Sequence, residues 1–119
     1  MQEIYLILDN IRSTHNVGSI FRTADGAGVS KLYLTGITPT PLDRFGRKQK
    51  DIAKVSLGAE ESVPYEYFKT TKECIEHLRR QDVYIVGVEQ SKESINYQDL
   101  EVNSPTAFIF GNEVEGISK

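Results

Sequence analysis

Two stretches, one near each end of the 119-residue chain, carry side chains that suit ligand chemistry. The first, Asp9 to Ala24, reads D-N-I-R-S-T-H-N-V-G-S-I-F-R-T-A. Asn16 is of the type expected at a helix N-cap. Arg22 follows six residues later, off the apolar stripe and one turn beyond Gly18, whose missing side chain would leave room beside the helix. A guanidinium there would offer a planar fork of donors to a phosphate or carboxylate, with Arg12 and His15 adding donors nearby. Taken alone, an N-cap asparagine and a solvent-facing arginine are also what an ordinary helix start contains.

The second stretch, Phe108 to Ser118, reads F-I-F-G-N-E-V-E-G-I-S, with Gly111 and Gly116 bracketing Asn112, Glu113 and Glu115. Glycines after an apolar run let the backbone approach a ligand closely. The carboxylates make a poor phosphate cradle, and neither a Walker lysine nor G-x-G-x-x-G accompanies them. Backbone and acids together suit a ligand with a heteroaromatic edge, hydroxyls and positive charge; a glycine-stabilised turn with exposed acids reads equally well. A third feature is electrostatic. Residues 43–54 hold five basic and two acidic side chains, a local +3 in a chain whose net charge is -3. That segment is either a basic patch for a polyanion or a solvated loop running into the exposed face of a helix.

The elements that must position these residues alternate between strand and helix. Residues 4–8, 31–34, 83–88 and 106–110 read as buried strands and 63–67 as a weaker one, which predicts an α/β domain with a largely parallel sheet. Val17, Ile20, Phe21 and Ala24 recur at helical spacing, and Gly26 and Gly28 supply a stop before the next strand. A helix is predicted from about Lys50 to Leu57. Another starts at Thr70, an N-cap with Glu73 as its capping-box partner, and turns Ile75 and Leu78 to the core. Both chemical stretches then follow the carboxyl ends of strands, where open α/β sheets bind ligands.

Composition narrows the class. The length fits one domain, and 39% hydrophobic with 26% charged residues is ordinary for a globular fold. No apolar run is long enough for a membrane helix, and the first residues lack the basic and apolar pattern of a secretory signal, so the expectation is a cytoplasmic protein. A single cysteine, Cys74, and two histidines leave no disulfide and no zinc cage. The chain stops just after a strand and loop, at Gly116 to Lys119. A parallel unit ending there would lack the helix that covers its last strand, so residues 1–119 are expected to be one domain, incomplete at its C-terminal side.

Together, H-N-V-G-S-I-F-R-T-A-D-G-A-G-V and F-I-F-G-N-E-V-E-G-I-S resemble the first and second motifs of the SpoU-type RNA ribose 2'-O-methyltransferases, which belong to the knotted SPOUT superfamily. K-V-S-L-G-A-E-E-S-V-P and I-V-G-V-E-Q-S between them are similar to the family's usual middle, so the resemblance spans the chain. It implies a homodimeric α/β methyltransferase that uses S-adenosylmethionine, held in a C-terminal trefoil knot, to methylate a ribose 2'-hydroxyl in tRNA or rRNA. By the same resemblance Asn16, Arg22 and Glu113 are catalytic. Gly111, Asn112, Glu113 and Gly116 would line the cofactor pocket, with Val88, Glu89 and Gln90 touching it less specifically. Arg12, His15, Arg44, Arg47, Lys48, Lys50 and Lys54 become candidates for contact with the RNA backbone. The family's third motif, a Ser-Leu-Asn-type segment, is absent from these 119 residues, so the knot segment is expected to be missing. Two other readings remain: a catalytically inactive RNA-binding module of the same fold, and a doubly wound domain binding a small nucleotide, which the missing phosphate fingerprint disfavours.

Overall fold

A computed structural model of the chain describes residues 3–42, 45–88 and 105–111. Five strands form one parallel sheet: β1 (Ile4–Asp9), β2 (Lys31–Thr35), β3 (Tyr65–Phe68), β4 (Tyr84–Val88) and β5 (Thr106–Gly111), in the order β3-β2-β1-β5-β4. Among the described residues four helices connect them: α1 (Thr14–Ala27), α2 (Lys50–Ser56), α3 (Ala59–Ser62) and α4 (Thr71–Arg79). The weak fifth strand is real but shifted. Val63 and Pro64 precede it, and the Pro64 carbonyl accepts from the Leu32 amide at 2.9 Å.

Alternation along β1 divides the core. Leu8 joins Leu32 and Leu34 on the face covered by Val17 and Phe21 of α1, Ile52 of α2 and Ala59 of α3. Ile7 joins Tyr33, Ala107 and Ile109 on the opposite face, covered by Cys74 and Leu78 of α4. Ile75 lies at the margin of this second layer, half-buried, and Cys74 takes the central place expected for it.

The structure corrects the sequence reading of α1 in three places. The N-cap of α1 is Ser13, not Asn16: Ser13 is extended and its Oγ accepts from the Asn16 amide at 3.1 Å. Either residue type caps well, and the one where the chain leaves its extended path takes the position. Gly26 lies inside α1, and the stop is Gly28, left-handed at φ 75° with its amide donating back to Ala24 and Asp25. The space beside Gly18 is filled. A Cβ there would meet the Ile52 carbonyl oxygen at 2.8 Å and the Val55 Cβ at 2.9 Å, so the glycine is what lets α2 lie directly against α1. The predicted helix at 50–57 ends at Ser56, with Leu57 left-handed at φ 54°. The short α3 escaped the sequence reading.

Candidate active site at the carboxyl edge of the sheet

Strand register brings the two chemical stretches together. Asp9, the last residue of β1, pairs with Thr35 of β2 on one side and Gly111 of β5 on the other. Phe68 extends the row beyond Thr35, and Val88 pairs with Phe110 on the far side. The first chemical stretch therefore leaves β1 directly beside the strand from which the second departs, although about a hundred residues separate them. Between β1 and β5 the strand order changes direction, and ligands of open α/β sheets bind at such a point.

The edge is braced by a buried polar cluster that sequence reasoning missed. Asp9 is fully buried, and its Oδ1 accepts from the Thr71 hydroxyl and, at 3.1 Å, from Asn10 Nδ2. Thr71 Oγ1 lies 2.7 Å from Thr35 Oγ1. Thr35 and Thr38 both donate to the Leu8 carbonyl, at 3.1 and 3.0 Å, and the Ile11 amide donates to Thr38 Oγ1 at 2.9 Å. Asn10, left-handed at φ 55°, accepts from the Ile37 amide at 3.0 Å. Gly36 sits so close that a Cβ there would lie 1.9 Å from Asn10 Oδ1. These bonds tie the segment leading into α1 to the loop after β2 and to the start of α4, where Thr70 accepts from the Glu73 amide at 3.1 Å. The available signal was a polar residue ending each apolar run, Asp9 after Leu8 and Thr35 after Leu34.

On this base α1 displays its exposed side chains. Asn16 and Arg22 are both exposed, but six residues of helix place them about 9 Å apart along the axis and roughly 120° apart around it. His15, Ser19 and Arg22 instead share one exposed stripe at i, i+4 and i+7. Arg12 is exposed in the segment before Ser13. In the basic segment Arg47, Lys48, Lys50 and Lys54 are exposed; Lys50 and Lys54 lie one turn apart on α2, and Lys48 pairs with Glu61 at 3.5 Å. The Arg47 guanidinium lies over the Phe45 ring, 4.9 Å from its centroid. Of the expected cofactor residues, Gly111 is half-buried at the end of β5 and Val88 ends β4. Asn112, Glu113, Gly116, Glu89 and Gln90, and Arg44 of the basic segment, lie outside the described residues.

A parallel sheet with its polar residues gathered where β1 and β5 end defines an α/β domain of the ligand-binding kind. The chain belongs to the SpoU rRNA methylase family, which it matches over residues 3–119. It is 32% identical over 114 residues to a Staphylococcus saprophyticus protein assigned to the TrmH family of tRNA/rRNA methyltransferases, covering 96% of this chain and 43% of that protein. A Bacillus subtilis protein of the same assignment is 29% identical over 123 residues, covering 99% and 45%. Among solved structures, the rRNA methyltransferase of Sinorhizobium meliloti bound to AdoMet superposes with a TM-score of 0.79 at 28% identity, over 98% of this chain and 42% of that one. The SpoU methyltransferase AviRb of Streptomyces viridochromogenes, in complex with AdoMet, shares the fold with a TM-score of 0.81 at 22% identity, over 98% and 46%. The chain thus spans less than half the length of these relatives.

Proposed function

We propose that the whole protein transfers a methyl group from S-adenosylmethionine to the 2'-hydroxyl of a ribose in tRNA or rRNA, acting as a cytoplasmic homodimer with residues 1–119 inside one methyltransferase domain. The observation that carries the reading is the register of Asp9 with Gly111, which aligns the residue opening the first chemical stretch with the first glycine of the second, in a chain that matches the family over 3–119. The cofactor, when bound, supplies a sulfonium methyl already activated as an electrophile. Gly111 suits such a ligand, since it offers half-exposed backbone without a side chain at the strand end.

The task of the remaining residues is alignment and charge. A 2'-hydroxyl must be held in line with the methyl and must lose its proton as the new bond forms. A guanidinium has no acceptor site, so Arg22 holds the neighbouring substrate phosphate, which takes up the leaving proton, and stabilises charge growing on the ribose oxygen. Arg12, His15, Lys50 and Lys54 contact the RNA backbone and set its position without reading its sequence. The test uses the whole protein, methyl-labelled S-adenosylmethionine and tRNA or rRNA, followed by digestion to nucleosides. Label is expected in 2'-O-methylated nucleosides, and Arg22→Ala is expected to remove most turnover while cofactor affinity changes little. Label on a base overturns the ribose assignment, and near-normal kcat in the variant removes Arg22 from its role.

A further inference from the structure

A second feature of the carboxyl edge lies beyond β2. A groove of about 570 Å³ is lined by Gly36, Thr38, Leu42, Phe45, Arg47 and Tyr67, together with neighbours on the same loop. Its size falls in the usual range of sites for small ligands, roughly 300 to 1,000 Å³. Six large hydrophobic side chains are exposed among the described residues, and three of them, Leu42 at 46%, Phe45 at 65% and Tyr67 at 47%, line this groove. Such clustering marks a surface with a partner rather than scattered exposure.

The chemistry of the lining narrows that partner. Among the described residues the lining holds no carboxylate and one charged side chain, Arg47, stacked on the Phe45 ring, and exposed Lys48 and Lys50 follow on the same segment. Tyr67 is held in place, its hydroxyl donating to the Gly36 carbonyl at 2.6 Å. The loop is closed by a bridge between Leu42 and Lys48, and the Gln49 amide donates to the Pro41 carbonyl at 2.8 Å, so the aromatic groups stand on braced backbone. Exposed aromatic rings beside a guanidinium match a nucleobase and its phosphate. An A-form duplex keeps its bases stacked inside and leaves these rings nothing to stack on.

We propose that this groove takes an unpaired nucleotide of the RNA substrate, its base stacked on Phe45 and Tyr67 and its phosphate met by Arg47. The inference rests on the RNA reading given above and adds the form of the RNA: the protein engages a single-stranded loop or a splayed-out base. Both the groove and the start of α1 lie at the carboxyl edge of the sheet, so a strand seated in the groove runs toward Asn16.

The test compares binding of the full-length protein to a fluorescent single-stranded oligouridylate and to an RNA duplex of equal phosphate count, across salt concentrations. Phe45→Ala is expected to weaken single-strand affinity about tenfold, the loss of one stacked base, with an unchanged salt slope. Duplex affinity should not move, and Phe45→Trp should restore binding. Arg47→Gln is expected to lower the salt slope by about one. Should Phe45→Ala fail to fold, photocrosslinking of 5-iodouridine RNA to the wild-type protein decides, since stacking predicts attachment to the Phe45 or Tyr67 peptide. Equal effects on single strand and duplex, no effect on either, crosslinks elsewhere, or a change in oligomeric state in place of RNA affinity would overturn the groove assignment while leaving RNA binding intact. A wild-type protein that binds neither RNA overturns the RNA reading itself.

Discussion

The seating of α2 on α1 predicts opposite results for one substitution made at two places in the same helix. At Gly18, an added methyl would stand 2.8 Å from the Ile52 carbonyl oxygen, 2.9 Å from the Val55 Cβ and 3.3 Å from the Ser56 amide nitrogen. Two of those three atoms are backbone, so α2 itself must move. Overpacking of this kind costs about 1–3 kcal/mol. Alanine recovers about 1 kcal/mol through its better helix propensity. The net for Gly18→Ala is a loss of up to about 2 kcal/mol, or up to roughly 10 °C in Tm for a domain of this size. At Gly26, also inside α1, nothing lies within 4 Å of the added methyl, so only the propensity gain remains. Gly26→Ala should therefore stabilise by about 0.5–1 kcal/mol. Urea unfolding of the two variants in parallel reads the difference directly. Displacing α2 also moves Lys50 and Lys54, so Gly18→Ala should weaken RNA binding where Gly26→Ala does not. If Gly18→Ala proves as stable as Gly26→Ala, α2 is not held against α1 at this point, and the account of how the basic segment is positioned fails with it.

Thr71→Val removes one donor from the buried Asp9 carboxylate and one partner from Thr35, and should cost about 1–3 kcal/mol in urea unfolding, with Thr71→Ser restoring most of it. Burial raises the Cys74 thiol from 9.0 to about 12, so the native protein should resist thiol reagents that label the unfolded chain at once. Below about pH 9 the thiol is neutral in both states and its contribution to stability is intact; above that the unfolded chain gains by ionising, so stability falls as pH rises toward about 12. Tyr33, raised by burial from 10.0 to about 12, adds to the same loss, and urea midpoints measured from about pH 8 to about pH 11 should show it. Lys48→Glu should change stability by less than about 1 kcal/mol, because its pair with Glu61 is exposed, yet weaken RNA binding and flatten its salt dependence by about one unit of slope.

Local pattern was enough for every element but the short α3, and not for their meeting points. Apolar runs marked all five strands, because a parallel sheet covered on both faces needs nearly continuous Val, Ile, Leu and aromatic residues. Thr70 and Glu73 marked the start of α4 correctly, since a cap is a bond between near neighbours in the chain. At α1 the same reasoning placed the cap at Asn16, whereas Ser13 holds it. The choice depends on where the chain leaves the strand, and left-handed Asn10, bonded to the loop after β2, fixes that point. Gly18 looked like open space because nothing local says that a helix some thirty residues later will lie against it. The Asp9 cluster stayed hidden for the same reason: its partners Thr35 and Thr71 come from other elements. The identities of Arg22 and Gly111 as site residues came from motif resemblance. The alignment of Asp9 with Gly111, from which the two stretches lead away, comes from strand order, which no periodicity encodes.

The same edge also separates its buried polar groups from the residues proposed to meet substrate. Asp9 is 0% exposed, so it cannot touch an RNA, whereas His15, Asn16 and Arg22 are all exposed on α1. A buried carboxylate is costly unless donors surround it, and here Asn10 before α1 and Thr71 at the start of α4 both donate to it, while Thr35 at the end of β2 lies against the Thr71 hydroxyl and donates to the Leu8 carbonyl. Each bond therefore spends its energy fixing one element against another, at the edge where the residues proposed for catalysis must hold their positions. A loop free to shift by an ångström would cost an alignment-driven reaction dearly. Asp9 thus fixes these elements against one another. The side chains proposed to meet substrate can stand exposed because the helix that carries them starts from a locked corner of the sheet.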